Sequence, residues 1–164
     1  MLWNELNTKE QIENFLKLYD NFLDSFIVKF WYDSGNYVCR ADPYKASQYN
    51  KHDLTIRFER MEYAPCAVEL KFEGIKRFNY PTNEDELSDI LFAKIVKNDK
   101  YIYWTMWEDF DPNNEEHLNY NDFTLIEAKK ASWRSVDNPI LKIKYFYYTV
   151  RSKLYKMLKI RNIL

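Results

Sequence analysis

The order of apolar and polar residues predicts a helix, a series of strands and a second helix. Apolar side chains recur at helical spacing over residues 12–23, behind a cap at Asn7 or Thr8. From residue 26 the pattern changes to the alternation that is typical of strands. Strands are predicted over residues 26–32, 37–40, 54–58, 66–72, 75–80 and 123–134, and residues 88–107 form a hairpin.

Three positions along the predicted strands carry local information. Residues 33–36 form a turn in which Gly35 supplies a positive φ, so residues 37–40 are expected to pair with the strand before it. The hairpin turns near Asn98, and its β-branched and aromatic composition places it at the expected centre of the sheet. The last strand changes phase near Lys129, which predicts a bulge.

Consecutive strands joined by short turns favour antiparallel pairing, because no helix intervenes to carry a parallel crossover. The predicted class is α+β: a bent antiparallel sheet of about eight strands, as a partial barrel or a sandwich, with an N-terminal helix and a basic amphipathic C-terminal helix. One domain is expected over residues 1–137. Residues 138–164 are expected to form the C-terminal helix, either packed on that domain or extending from it.

Aromatic residues make up 18% of the chain, and Trp31, Trp104, Trp107 and Trp133 are expected to form the core or its rim. Arg134 is expected to pair with a carboxylate on a strand face, either Glu69 or Glu127.

Composition excludes several kinds of site. Only two glycines are present, so the sequence contains neither a P-loop nor a dinucleotide-binding glycine motif. The histidines, His52 and His117, fall in polar loops without partners at metal-ligand spacing. We therefore expect no catalytic residue, no cofactor and no metal. With no signal-peptide pattern and two isolated cysteines, a cytoplasmic location is predicted.

Charge is distributed unevenly along the chain. Residues 139–164 carry seven Lys and Arg and no acid, whereas residues 1–138 carry 17 basic against 25 acidic residues, a formal −8. Six of those acids lie in residues 108–122, a predicted loop that contains no Lys or Arg. The asymmetry between an acidic body and a basic tail is the main functional signal in the sequence.

The acidic loop matches a calcium-binding loop only in part. Asp109, Asp111 and Asn113 fall at the first, third and fifth positions of an EF-hand-like loop. The sixth position is Asn114 where glycine is needed, and the twelfth is Tyr120 where a bidentate Glu is needed. Cation binding by a looser arrangement stays open, as does a negative surface for a basic protein partner, and so does a role in solubility alone.

The basic tail has three interpretations. It can pack on its own domain, bind a protein groove or a membrane surface, or hold nucleic acid through interleaved aromatic and basic side chains. The candidate partner-binding residues in the loop and the tail are Asp109, Asp111, Glu115, Glu116, Lys142, Lys144, Arg151, Lys153 and Lys156.

Several short motifs resemble a family of small uncharacterised bacterial proteins that is common in Firmicutes. The matching segments are F-L-D-S at 22–25, S-G-N-Y-V at 34–38, R-F-E-R at 57–60, V-E-L-K-F-E-G-I at 68–75, Y-I-Y-W at 101–104 and I-E-A-K-K-A-S-W-R at 126–134. The family pattern has F-H-D-S where this chain has Leu23, so a catalytic or metal role of that histidine does not carry over. The resemblance implies an antiparallel fold over residues 20–137 and brings no established activity.

Two functions of different class follow from these observations. The first is a non-enzymatic protein-binding module, such as an immunity or inhibitor protein that neutralises a partner protein through its acidic surface. The alternative is a nucleic-acid or membrane-surface binder that uses the basic aromatic tail. The sequence leaves the partner and the oligomeric state open.

Overall fold

The computed structural model describes residues 2–38, 46–48, 51–60, 65–81, 89–120 and 122–136. The helices are α1 (Lys9–Leu18) and α2 (Glu115–Asn119). The strands are β1 (Asn4–Glu5), β2 (Ser25–Asp33), β3 (Asn36–Val38), β4 (Ala46–Gln48), β5 (Asp53–Arg60), β6 (Ala67–Glu73), β7 (Arg77–Asn79), β8 (Lys94–Lys97), β9 (Ile102–Thr105), β10 (Leu125–Ala128) and β11 (Lys130–Ser135). The predicted C-terminal helix lies outside the described residues.

The α+β class is confirmed, with two large antiparallel sheets and a separate two-stranded sheet of β3 and β4; within the described residues no sheet closes into a barrel. A five-stranded sheet has the order β1-β11-β6-β5-β2, and a four-stranded sheet has the order β7-β10-β9-β8. Alternate residues of β5 and β6 face inward, including Ile56 and Leu70, where they meet Trp104 and Ile126 of the other sheet. Burial of this shared apolar surface is the main force that holds the two sheets together.

The N-terminal helix begins as predicted and ends earlier. Thr8 caps α1, and its side chain and that of Gln11 form a reciprocal capping box. The helix ends at Leu18, and Asp20–Phe22 follows as a 3₁₀ turn in which all three residues have positive φ between 49° and 65°. The strained turn buries Phe22 completely, whereas Leu23, predicted on the apolar helix face, is 39% exposed.

The chain passes between the two large sheets twice at the same corner, once between β6 and β7 and once between β10 and β11. β6 and β7 are separated at Gly74, and β10 and β11 are separated at Lys129 beside it, where the Lys129 N–H donates to Glu73 O. Gly74 has a φ of 65°, and a Cβ there would lie 3.0 Å from the Lys129 side chain. The phase change predicted near Lys129 is therefore the point at which the chain changes sheets.

One predicted strand pairing and one predicted position in the sheet are wrong. Residues 36–38 form β3, which pairs with β4, whereas the neighbour of β2 is β5. The hairpin of β8 and β9 forms with its turn at Asn98, yet β8 is an outermost strand of its sheet, so the hairpin is not central. In both cases contacts between residues distant in sequence decide which strands become neighbours, and the local pattern does not contain them.

Candidate functional site: the acidic lobe

The acidic loop is a folded unit. Residues 107–120 and 122–123, here called the acidic lobe, cover the side of the four-stranded sheet that faces away from the shared core. A second apolar cluster forms there around Tyr103, Phe110 and Leu125. Trp107 lies at its centre, with ring centroids 4.6 Å from Phe123 and 4.3 Å from His117. Aromatic packing of this kind fixes the backbone that carries the carboxylates.

Hydrogen bonds attach the lobe to the sheet at both ends. The fully buried Thr105 hydroxyl accepts from the Trp107 N–H at 3.1 Å and donates to Thr124 O at 2.9 Å. Asn79 of β7 donates to Phe123 O at 2.8 Å, and the Lys94 ammonium of β8 donates to Glu108 O. Three strands thus position the lobe.

Inside the lobe, short side chains order the turn that leads into α2. Asp111 accepts from the Asn113 N–H at 2.9 Å, and Asn114 caps α2 by accepting from the Glu116 N–H. The Asp111 N–H donates to His117 Nδ1 at 3.0 Å. His117 Nδ1 is therefore an acceptor, and the neutral ring carries its proton on Nε2.

The loop residues singled out by sequence are all exposed on the acidic lobe. Asp109 and Asp111 precede α2, while Glu115 and Glu116 occupy its first turn, where negative charge interacts favourably with the helix dipole. With Glu108 and Asp122, these carboxylates are all exposed, and none forms an ion pair within the described part of the chain. The lobe therefore presents six negative charges that have no ion-pair partner among the described residues.

The five basic candidates, Lys142, Lys144, Arg151, Lys153 and Lys156, lie outside the described residues. Sequence reasoning missed the aromatic support of the lobe, although the signal was present: Phe110 and Tyr120 fall inside the acidic run, and Trp107 and Phe123 flank it directly. A solvated loop has no need of four aromatic residues.

Beneath the lobe, burial changes the acidity of two groups on the sheet. Burial raises the pKa of Tyr103, although a hydrogen bond from Asn98 acts in the opposite direction. Burial also raises the pKa of Glu127 on β10, against the lowering effect of Arg77 and Lys76. Tyr103 belongs to the apolar cluster under the lobe, and Glu127 lies opposite it on β10.

The described residues give no arrangement for metal chemistry. No group of three or more His, Cys, Asp or Glu side chains converges in the described ranges. His52 lies away from the lobe, with Nδ1 2.7 Å from the Tyr32 hydroxyl. Asp111, a candidate calcium ligand, uses its carboxylate to order Asn113.

A contrasting set of charges lies on the outer face of the five-stranded sheet, here called the charged face. Arg134 contacts Glu69 Oε2 through two nitrogens at 2.6 and 2.8 Å, so Glu69 is its partner as the sequence allowed. Five other residues form a linked set of ion pairs: Lys51–Asp33, Lys51–Asp53, Lys71–Asp53 and Lys71–Glu73. Each of these charges has a partner of opposite sign on the same face.

Across the described residues, no helix is both long and apolar enough to cross a membrane. Comparisons with protein-family models, with curated proteins and with solved structures found no match. The resemblance to the Firmicutes family therefore stays a prediction from its motifs.

Proposed function

We propose that the protein is a non-enzymatic protein-binding module whose acidic lobe binds a basic surface of a partner protein. One observation carries the proposal: six exposed carboxylates without ion-pair partners in the described residues are held on an aromatic-supported scaffold. Charges at a protein surface that are not neutralised internally accelerate encounter with a partner of opposite sign and reject partners of like sign.

The rigidity of the lobe adds to this argument. Binding is weakened by the conformational entropy that loops lose when they become ordered, and the packing of Trp107 against Phe123 removes much of that cost beforehand. Tyr120 is 52% exposed beside the carboxylates, which offers an aromatic contact of the kind that often dominates an interface. An immunity or inhibitor protein that neutralises a toxin fits this combination.

The test compares two variants with the same change in charge. In the lobe variant, Asp109→Asn, Asp111→Asn, Glu115→Gln and Glu116→Gln are combined. In the control variant, four exposed carboxylates elsewhere are neutralised: Glu10→Gln, Glu13→Gln, Asp89→Asn and Asp99→Asn. Wild type and both variants are used as affinity baits with lysate of the native host, and the product of the adjacent gene is tested directly as a recombinant protein.

We expect a basic partner that binds wild type and the control variant and loses affinity for the lobe variant by about 10- to 100-fold, mainly through a slower association rate at low salt. Calorimetry and stopped-flow measurements at several salt concentrations provide these numbers. Equal binding by the lobe variant and wild type contradicts the proposal, as does the absence of any specific protein partner.

The basic tail supports a second proposal, a nucleic-acid or anionic-membrane binder. Seven basic residues within residues 139–164, interleaved with Tyr and Phe, are the observation in its favour. Deletion of residues 139–164 is then expected to abolish salt-sensitive retention on heparin, RNA or anionic vesicles. A full-length chain that shows no such retention excludes this function.

A further inference from the structure

The outermost strand β2 has an open side. Within the described part of the chain, β5 is its only strand neighbour, apart from a single bridge between Ser25 and Ile90. Four large apolar side chains along it are exposed: Phe26 (38%), Val28 (47%), Trp31 (39%) and Tyr32 (58%). An edge strand with unpaired backbone groups and exposed apolar side chains is a template for the addition of another strand.

A bulge limits the length of this template. The register between β2 and β5 shifts between Ile27 and Lys29, which leaves Val28 outside the regular ladder. From Lys29 to Asp33 the pairing with β5 is regular over five residues. Because a bulge bends its strand and interrupts the ladder, a strand that adds to β2 has regular geometry only along residues 29–33.

We propose that β2 pairs antiparallel with β2 of a second copy of this chain, about a two-fold axis at Trp31. In this register Lys29 lies opposite Asp33 of the second copy, and the same pair occurs again across the axis. Phe30 lies opposite Tyr32, and Trp31 lies opposite itself. Opposite charges and aromatic residues directly across a strand pair stabilise it, so the segment is complementary to itself.

Other registers lose this complementarity. A two-fold axis at Lys29 sets two lysines directly opposite each other, and like charges at that position are destabilising. An axis at Phe30 brings the bulged Val28 into the paired segment, opposite Tyr32. The axis at Trp31 alone pairs all five regular residues and leaves the bulge outside.

The Asp33 carboxylate can accept a hydrogen bond from a second lysine. Its Oδ1 accepts from the Gly35 N–H at 2.9 Å, and its Oδ2 lies 3.1 Å from the Lys51 ammonium. A carboxylate has about four acceptor sites, so these two contacts leave room for Lys29 of the second copy. Lys29 itself lies 4.7 Å above the Trp31 ring, close to the axis.

The assembly closes at two copies. Each copy uses its β2 edge once, and the opposite edge of the five-stranded sheet is β1, which has two residues. A strand this short offers little for further addition. The outcome is a symmetric dimer with a continuous ten-stranded sheet, and its acidic lobes stay outside the paired edge.

Cysteine cross-linking tests the register, in the full chain with Cys39 replaced by Ser. In the proposed dimer the two Trp31 Cα atoms lie about 4.5–5.5 Å apart, within disulfide range. The two Asp33 residues lie four residues apart along the strands, about 14 Å. We expect Trp31→Cys to form a covalent dimer rapidly on oxidation and Asp33→Cys to remain monomeric in the same gel. Equal or preferential cross-linking of Asp33→Cys overturns the register.

Sedimentation over a range of concentrations tests the dimer. Lys29→Asp places two acids opposite each other and should raise the dissociation constant at least tenfold, whereas the double variant Lys29→Asp/Asp33→Lys restores pairing. Lys97→Asp on β8 makes the same charge change at the other sheet and should have no effect. If the double variant does not fold by circular dichroism, Trp31→Lys replaces it, and we expect it to dissociate the dimer. Wild type that stays monomeric to millimolar concentration, or a dimer insensitive to Lys29→Asp, overturns the proposal.

Discussion

The acidic lobe and the charged face carry charge in opposite ways. On the charged face, carboxylates have basic partners within the same sheet, such as Glu69 with Arg134 and Glu73 with Lys71. In the lobe, the six carboxylates have none among the described residues, and aromatic packing together with hydrogen bonds to the sheet holds the segment that carries them. Charges that are paired internally contribute to the fold, whereas unpaired exposed charges remain available to a partner.

The largest expected effect is on the support of the lobe. Trp107→Ala removes a half-buried ring that contacts Phe110, His117 and Phe123. Fully buried aromatic residues lose about 3–5 kcal/mol on truncation to Ala, so for this half-buried ring we expect about 2–3 kcal/mol. Urea unfolding measures the free energy. Tyr120→Ala, at a more exposed ring of the same lobe, should cost less, and an equal cost contradicts this role for Trp107.

On the charged face, Glu69→Gln is expected to lower the free energy of unfolding by about 2 kcal/mol. The Glu69 side chain is 8% exposed, and its loss of charge leaves the Arg134 guanidinium without its carboxylate. Removing one partner of a buried pair costs about 3–5 kcal/mol, and we reduce that figure because Arg134 is 33% exposed.

The matched control for Glu69→Gln is Glu115→Gln in the lobe, which removes the same charge from an exposed, unpaired position. Its effect on stability should stay within about 0.5 kcal/mol. Equal losses of unfolding free energy for Glu69→Gln and Glu115→Gln would contradict the distinction between paired charges that stabilise the fold and unpaired charges that stay available to a partner.

Tyr19, a buried group of the core, gives a prediction that depends mainly on burial. Burial raises the pKa of Tyr19 to about 12, although the neighbouring Ser25 and Arg60 lower it in part. A raised folded pKa gives a contribution that is fully present below the unfolded value of about 10 and is lost as pH rises through the folded value. Between neutral pH and pH 11, the free energy of unfolding of wild type should fall by about 1.4 kcal/mol more than that of Tyr19→Phe, as measured by urea unfolding at each pH. Parallel pH profiles for the two proteins contradict the assignment.

The smallest expected effect is on the pKa of Asp33 on the charged face, which an acid titration measures. The Gly35 N–H and the Lys51 ammonium lower the pKa of Asp33. A lowered folded pKa gives a contribution that is present above the unfolded value of about 3.9 and is lost as pH falls through the folded value. Carboxyl-detected NMR should show Asp33 titrating below that value, and Lys51→Ala should raise its pKa. Lys100→Ala, at the exposed hairpin turn, should leave it unchanged.

The sequence identified the charged residues of the candidate surface but not the scaffold that holds them. The composition of residues 108–122 located the carboxylates, and the structure shows that the same residues contain α2 and pack against the cluster around Trp107. The charged side chains are exposed because water hydrates them, so their exposure could be predicted from the sequence. The scaffold depends on Tyr103 and Leu125, which come from two other strands, and no local pattern identifies them as neighbours.

Local chemistry determined the elements: the capping box of Thr8, the alternation of β5 and β6, the turn at Gly35 and the break at Gly74. These depend on residues a few positions apart, so the sequence by itself suffices for them. Tertiary structure decided the pairing of β2 with β5, the edge position of the hairpin and the left-handed turn at Asn21. In each case the burial of side chains that are distant in sequence, such as Phe22 against Trp104, outweighs the local conformational preference of the chain.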